Sequence, residues 1–188
     1  ADVMTLLNAT LGVVAMVVAV VVGPGMAARL VLLAAVADGL DGIIARTRGG
    51  TPVGPYLDST ADIVSFGTAP ALFLFAATFN DFALALPSDL PAPGLVAAVA
   101  ASLVPAVFVV LSLVRTALYT VYVGEGENRP GIQNTLAASI LAAGYLAGVT
   151  ATPLLLAGAV VLSALMIAPV PYPKLAARDA LVMGVVQM

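Results

Sequence analysis

The chain has 188 residues, of which 62% are hydrophobic and only 9% are charged. Its mean hydropathy is +1.12, whereas about 25% of the residues of a soluble domain are charged, so the composition predicts a polytopic membrane protein. The absence of cysteine excludes disulfides, thiol catalysis and thiolate metal sites, and a net charge of −3 without a basic patch argues against a nucleic-acid partner.

Apolar segments of about 20 residues, the length of a helix that crosses a bilayer, recur along the chain. They predict spanning helices at residues 5–22, 27–46, 55–79, 94–123, 130–149 and 153–168. Residues 174–188 have a helical pattern but are few for a span, so they form either an interfacial helix or a truncated one. We therefore expect an all-α fold: one membrane domain over residues 1–188, built as a bundle of six core transmembrane helices plus this short C-terminal helix.

Half of the eight aspartates lie in the second and third predicted helices, among apolar residues; they are Asp38, Asp41, Asp58 and Asp62. At about 100° per residue, the first two share one face of the second helix with Gly42 and Ala45. The other two lie one turn apart on the third helix. Glycines and prolines between residues 49 and 55 break the chain, which predicts an antiparallel hairpin that brings all four carboxylates together.

Four unpaired carboxylates inside a bilayer would cost on the order of 10 kcal/mol, so a cationic partner is expected among them. Oxygen ligands in a chain without His or Cys suit hard divalent cations rather than zinc. Two ions would balance the charge, and Mg²⁺ or Mn²⁺ is expected, with Ca²⁺ also able to occupy the site. A structural cation site or a proton relay in a transporter is the alternative interpretation.

The pattern Asp-x-x-Asp-Gly-x-x-Ala-Arg, followed by Gly-x-x-x-Asp-x-x-x-Asp, resembles the signature of the CDP-alcohol phosphotransferase family. Its fixed positions are Asp38, Asp41, Gly42, Ala45, Arg46, Gly54, Asp58 and Asp62. The resemblance implies a membrane enzyme, a homodimer in the cell membrane, in which two metal ions clamp the pyrophosphate of a CDP-linked lipid. An alcohol then displaces CMP in line.

The resemblance also implies roles for individual residues. Gly42 would let the backbone approach the nucleotide, since it has no Cβ, and Arg46 would pair with a phosphate. Ala45 and Gly54 complete the nucleotide and phosphate set. Asp62 would be both a metal ligand and the catalytic base that takes the proton from the attacking hydroxyl.

Other polar residues are candidates for substrate contacts. Asn8, near the start of the first helix, lies at the depth of the site and is a candidate for the nucleotide, with helix capping as the alternative. Ser65 shares the face of the third helix's aspartates and is a candidate for the acceptor, with a bond to its own helix as the alternative. Arg115, about 12 Å below the end of the fourth helix, and Arg129, in the following loop, are candidates for an acceptor carboxylate. Alternatively, Arg115 only pairs with the aspartates.

The segment 57–70 resembles the phosphatidylserine synthase branch of the family. Tyr172-Pro173-Lys174 and the opening Thr5-Leu6-Leu7-Asn8 are similar to that branch as well. This resemblance implies L-serine as the acceptor and CDP-diacylglycerol or CDP-archaeol as the lipid donor. Inositol phosphate and glycerol phosphate stay open as acceptors, and a scaffold that only binds its ligands is the alternative from a different class.

The positive-inside rule orients the predicted bundle. Most cationic residues lie at helix ends that alternate onto one side of the membrane, together with the N-terminus; they are Arg46, Arg48, Arg129, Lys174 and Arg178. The aspartates lie towards that same side. We therefore expect an integral protein of the cell membrane whose site faces the cytoplasm.

Overall fold

A computed structural model describes residues 2–48, 51–124 and 131–168, and within these ranges all regular secondary structure is helical. The continuous helices are α1 (Asp2–Val21), α2 (Pro24–Arg48), α3 (Gly54–Ala85), α4 (Pro93–Gly124), α5 (Asn134–Leu146) and α6 (Thr152–Ile167). For residues 45–48 and 121–124 the description covers the backbone only. The predicted all-α class is confirmed for this part of the chain, and the predicted C-terminal helix at 174–188 lies outside the described residues.

Three of the described helices are long and apolar enough to cross a membrane: Asp2–Val21, Gly54–Ala85 and the Pro93–Thr120 part of α4. Helices α5 and α6 are apolar but have only 13 and 16 residues. Helix α2 has 25 residues, but it carries Asp38 and Asp41, which lower its hydropathy. Length and composition thus identify three candidate spans, and a six-span bundle stays a prediction.

The predicted helix at 130–149 is too long at both ends, because glycines end it. Gly131 has φ +77°, and a Cβ there would lie 2.0 Å from the carbonyl oxygen of Met166. Ile132 donates its N–H to the oxygen of Leu165 at 3.0 Å, so this loop packs on the end of α6. At the other end Gly148 has φ +99°. The N–H of the next residue, Val149, donates to the oxygen of Gly144 at 3.0 Å, which ends the helix.

Helix α3 contains a wider, π-helical turn over Ile63–Thr68, directly after Asp62. Its signature is a bond from the N–H of Ala69 to the oxygen of Val64, five residues back. Pro70 explains the position of this turn. In a regular α-helix its ring would clash with the carbonyl four residues earlier, and that carbonyl would receive no hydrogen bond because proline has no backbone N–H. A wider turn moves the carbonyl away from the ring. The aspartate-bearing turns of α3 are therefore rotated relative to the rest of the helix.

Small residues let the helices approach closely around this turn, as is common between membrane helices. Gly12 of α1 faces Ser65, and a Cβ at Gly12 would lie 2.7 Å from the Cα of Ser65. Gly67 of α3 likewise faces Ser112 of α4, whose Oγ would be 2.9 Å from an added Cβ. The π-helical turn is thus held between α1 and α4.

The core in and beyond this turn is built from alanines and a few large side chains. Phe66, Phe73, Phe108 and Met166 are fully buried, and the ring of Phe73 meets that of Tyr145 edge-on at 5.1 Å. Large apolar residues on the outer faces of α1 and α4 are exposed. This inverted pattern, with small residues inside and large apolar ones outside, is what a bilayer around the described helices would allow.

Candidate active site

Three carboxylates converge between α2 and α3. One oxygen from each of Asp38, Asp58 and Asp62 lies within 4.8 Å of the others. Asp38 comes from α2, whereas Asp58 and Asp62 lie one turn apart on α3, before the π-helical turn. The hairpin predicted from the sequence therefore brings these three side chains together.

Asp41 lies beside the three carboxylates but faces α1. It is buried, and its Oδ2 accepts a short hydrogen bond from the hydroxyl of Thr5. It still lies close enough to Asp38 and Asp58 to repel them electrostatically. All four predicted aspartates thus lie in one region, with Asp41 connecting the carboxylates to the first helix.

The charge of this region is strongly negative. Asp38 is repelled by Asp58 and Asp41, and Asp62 by Asp38 and Asp58, while the guanidinium of Arg115 attracts Asp62. Among the side chains that the structure describes, the other cation is Arg29, exposed near the beginning of α2. One guanidinium does not balance four carboxylates, so the region favours added positive charge.

The donor set of the region fits hard divalent cations. Carboxylate oxygens are the ligands that Mg²⁺, Mn²⁺ and Ca²⁺ prefer, and three of them already lie within 4.8 Å. Asp58 is exposed, which leaves an open side from which an ion or a phosphate can approach. These residues are therefore compatible with a metal centre.

The start of α5 also contacts the carboxylates. Thr135 donates its hydroxyl hydrogen to Oδ2 of Asp38 at 3.3 Å. The preceding Asn134 is buried, and its Nδ2 donates a hydrogen bond to Oγ1 of Thr116 on α4 at 2.8 Å. A third helix therefore supports the hairpin, and a fourth holds that helix in place.

Arg115 of α4 lies in this region. It is buried, within coulombic range of Asp62, and its guanidinium lies 4.9 Å from the centre of the Tyr119 ring. The other acceptor candidate, Arg129, lies outside the described residues. The only available sequence signal for Ser112 and Thr116 was their place on the same helical face as Arg115.

Asn8 and Ser65 meet between α1 and α3. The hydroxyl of Ser65 donates to the backbone oxygen of Asn8 at 2.9 Å, so it joins two helices rather than bonding to its own. The side chain of Asn8 is fully buried, and neither of its amide atoms has a hydrogen-bond partner in the described part of the chain. Asn8 lies one turn from Thr5, which bonds to Asp41. An unpaired amide beside the carboxylates fits a group that completes its bonds with a ligand.

The remaining predicted positions lie along the hairpin. Gly42 is half-buried on α2. Ala45 and Arg46 lie in the last turns of α2, where their side chains are outside the description. Gly54 begins α3, and its N–H donates to Oγ1 of Thr51 at 3.0 Å.

That threonine in turn joins the hairpin loop to the first helix. The hydroxyl of Thr51 donates to Oδ2 of Asp2 at 2.9 Å. The described part of this loop, which begins at Thr51, is therefore bonded to the beginning of α1, at the same end of the hairpin as Asp58.

Comparison with known proteins gives the family that the aspartate pattern resembles. The sequence model of a family described as CDP-alcohol phosphatidyltransferase matches residues 1–171. Archaetidylserine synthase of Methanothermobacter thermautotrophicus is 27% identical over 176 residues, which are 92% of this chain and 69% of the relative.

Bacterial relatives match a shorter part of the chain. CDP-diacylglycerol–serine O-phosphatidyltransferase of Mycobacterium leprae is 42% identical over 74 residues, 39% of this chain and 25% of the relative. The protein of that name from Mycobacterium tuberculosis H37Rv is 38% identical over 78 residues, 41% of this chain and 27% of the relative. The chain thus spans about two thirds of the archaeal relative and about a quarter of the mycobacterial ones.

Proposed function

Because the chain belongs to the CDP-alcohol phosphatidyltransferase family and is thus a transferase, we propose that it transfers a phosphatidyl or archaetidyl group from a CDP-linked lipid to L-serine. The observation that carries this proposal is the convergence of Asp38, Asp58 and Asp62 within 4.8 Å. The serine hydroxyl oxygen forms a bond to the phosphorus that carries the lipid. The bond from that phosphorus to CMP breaks, and CMP leaves with the electron pair.

Asp62 receives the hydroxyl proton in this proposal. It lies on the α4 side of the carboxylate region, since Arg115 attracts it, and a carboxylate within reach of an attacking hydroxyl serves as a general base. Asp38, Asp58 and Asp62 lie too close to one another to be left without a cation. Asp62 is therefore both a metal ligand and, because it lies next to the acceptor side, the base.

The four aspartates would hold two divalent cations, Mg²⁺ or Mn²⁺, with Ca²⁺ able to occupy the same ligands. When bound, such ions neutralise the pyrophosphate and polarise its phosphorus–oxygen bonds. Thr135 and Thr5 orient Asp38 and Asp41 through their hydroxyls. Such bonds to ligating carboxylates fix the ligands before an ion arrives.

Substrate binding is divided between the two sides of the hairpin. The nucleotide side comprises Asn8, Gly42, Ala45, Arg46 and Gly54. The acceptor side comprises Arg115, whose guanidinium would pair with the serine carboxylate, with Arg129 as a second cation from the loop. Ser65 is a further candidate on the acceptor side: its hydroxyl donates to α1 and keeps its acceptor lone pairs.

We place the enzyme in the cell membrane as a homodimer of six-span bundles, with the carboxylates facing the cytoplasm. The three candidate spans and the apolar α5 and α6 support this placement, and the cationic helix ends support the orientation. The lipid donor is CDP-diacylglycerol or CDP-archaeol. The names of the archaeal and mycobacterial relatives support serine and both lipid types.

The experiment that tests this function is CMP release by the purified full chain in detergent or liposomes. Each CDP-lipid is supplied with Mn²⁺ and, in turn, L-serine, inositol phosphate and glycerol phosphate. We expect CMP release and a new serine lipid only when L-serine is the acceptor supplied. CMP release that occurs only with a phosphorylated alcohol would overturn serine as the acceptor, and binding of CDP-lipid without CMP release from any acceptor would overturn the transfer itself.

A further inference from the structure

Helix α4 carries a polar stripe on an otherwise apolar helix. Ser112, Arg115 and Thr116 lie at the i, i+3 and i+4 spacing of one helix face, and all three are buried. Asn134, at the start of α5, is buried against the same stripe. Buried polar groups in membrane helices commonly line a functional site, because an apolar residue would pack there at lower cost.

The bonding pattern fixes the orientation of the Asn134 amide. Its Nδ2 lies 3.3 Å from the backbone oxygen of Ser112, which can only accept, so the amide nitrogen must face α4. The hydroxyl of Thr116 donates its own hydrogen to that same backbone oxygen at 2.9 Å. It therefore accepts from the amide nitrogen at 2.8 Å. The amide nitrogen thus faces α4, and Oδ1 is the amide atom without a partner among the described residues.

Two oxygens of this group are left without partners. Oδ1 of Asn134 and Oγ of Ser112 are buried and have no hydrogen-bond partner among the described residues. Burying such an atom without a partner is energetically unfavourable. Two in one small group point to a ligand that brings hydrogen-bond donors.

This group adjoins the carboxylate region on three sides. Thr135, the next residue after Asn134, bonds to Asp38. Ser112 packs against Gly67, in the turn that follows Asp62. Arg115, between Ser112 and Thr116, attracts Asp62. A ligand held here would therefore lie next to the proposed base.

We propose that Asn134 Oδ1 and Ser112 Oγ bind the ammonium group of the amino-acid acceptor while Arg115 binds its carboxylate. This inference rests on the proposed function and adds the part of the site that selects an amine. An ammonium carries three donors and no acceptor, so it satisfies both oxygens. A phosphate oxygen has no hydrogen to donate, so it would leave Oδ1 of Asn134 unpaired and would add negative charge beside four carboxylates. The group therefore selects serine against phosphorylated alcohols.

The test compares L-serine with 3-hydroxypropanoate, which keeps the hydroxyl and the carboxylate but lacks the amine. Steady-state CMP release by the full chain is measured for wild type, Ser112→Ala and Asn134→Leu. We expect each variant to raise KM for serine about tenfold or more, and Ser112→Ala to leave kcat/KM for 3-hydroxypropanoate within about twofold. Ser163→Ala is the matched control, since Ser163 is also a buried serine with an unpaired hydroxyl, but on α6.

Equal changes in KM for both acceptors, or no change for either, would overturn the ammonium site while leaving the serine transferase intact. A wild type that uses only phosphorylated alcohols would overturn the proposed function and this inference together. Thermal unfolding in detergent shows whether each variant folds. If Asn134→Leu does not fold because its bonds to α4 are lost, Ser112→Ala, which removes a single unpaired oxygen, decides the question alone.

Discussion

Thr135 at the start of α5 donates a hydrogen bond of 3.3 Å to Oδ2 of Asp38 on α2. This bond joins two helices that are distant in sequence and fixes a carboxylate proposed to bind metal. Thr135→Val keeps the shape and removes the donor, so we expect Mn²⁺ affinity to fall about fivefold, the effect of losing one modest hydrogen bond. Titration of CMP release with Mn²⁺ measures it. Thr78→Val is the control, because Thr78 bonds to its own helix, and equal titrations for the two variants would contradict the prediction.

The carboxylates themselves are tested by charge removal. Asp38→Asn, Asp41→Asn and Asp58→Asn should each lower turnover at least about 100-fold, because each loses a charged ligand. Direct Mn²⁺ binding should weaken in parallel, and a chelator should silence the wild type until Mn²⁺ or Mg²⁺ is returned. Asp89→Asn, in an exposed loop, should change neither quantity. Turnover that survives exhaustive chelation would rule out the metal centre.

Asp62 should behave differently if it is the base. Asp62→Asn is expected to lower kcat at least about 100-fold, while equilibrium binding of CDP-lipid falls much less. The comparison is with Asp58→Asn, which should weaken both. Binding and kcat that fall together in Asp62→Asn would identify Asp62 chiefly as a metal ligand.

The hairpin and its carboxylates were predictable because their signals are local. The four-residue spacing of Asp58 and Asp62 fixes one helical face, and the glycines and prolines after residue 48 fix the break. The all-α class followed from composition in the same way. The family followed from eight fixed positions and is confirmed by the match over residues 1–171.

The π-helical turn and the contacts of Asn134 with α4 were not predictable by such reasoning. Pro70 signals a distortion of α3, but not that the chain widens its turn rather than kinking. Asn134 and Thr135 act across 18 and 97 residues of sequence, and no periodicity within one helix reveals such partners. The early start predicted for α5 failed for a similar reason, since Gly131 is fitted to the end of α6.

Gly12→Ala tests the close approach of α1 to the π-helical turn. An added Cβ would lie 2.7 Å from the Cα of Ser65, which is backbone and cannot rotate away. We therefore expect Tm to fall and activity to drop with it, by overpacking of about 1–3 kcal/mol. Ser65→Ala should not rescue the variant, because the clash with Cα persists. Gly144→Ala on α5, where a Cβ meets nothing within 4 Å, should be neutral or stabilising.

Arg115 tests the acceptor side as a whole. It is buried and attracts Asp62, and a serine zwitterion needs a cation for its carboxylate at that depth. Arg115→Gln should raise KM for serine more than about tenfold, the loss expected for a hydrogen bond to a charged group, and leave CDP-lipid binding nearly intact. Arg115→Lys keeps the charge but not the planar guanidinium, so its KM for serine should lie between those of the wild type and Arg115→Gln. Arg29→Gln, at an exposed position, is the control, and wild-type serine kinetics in Arg115→Gln would make Arg115 structural.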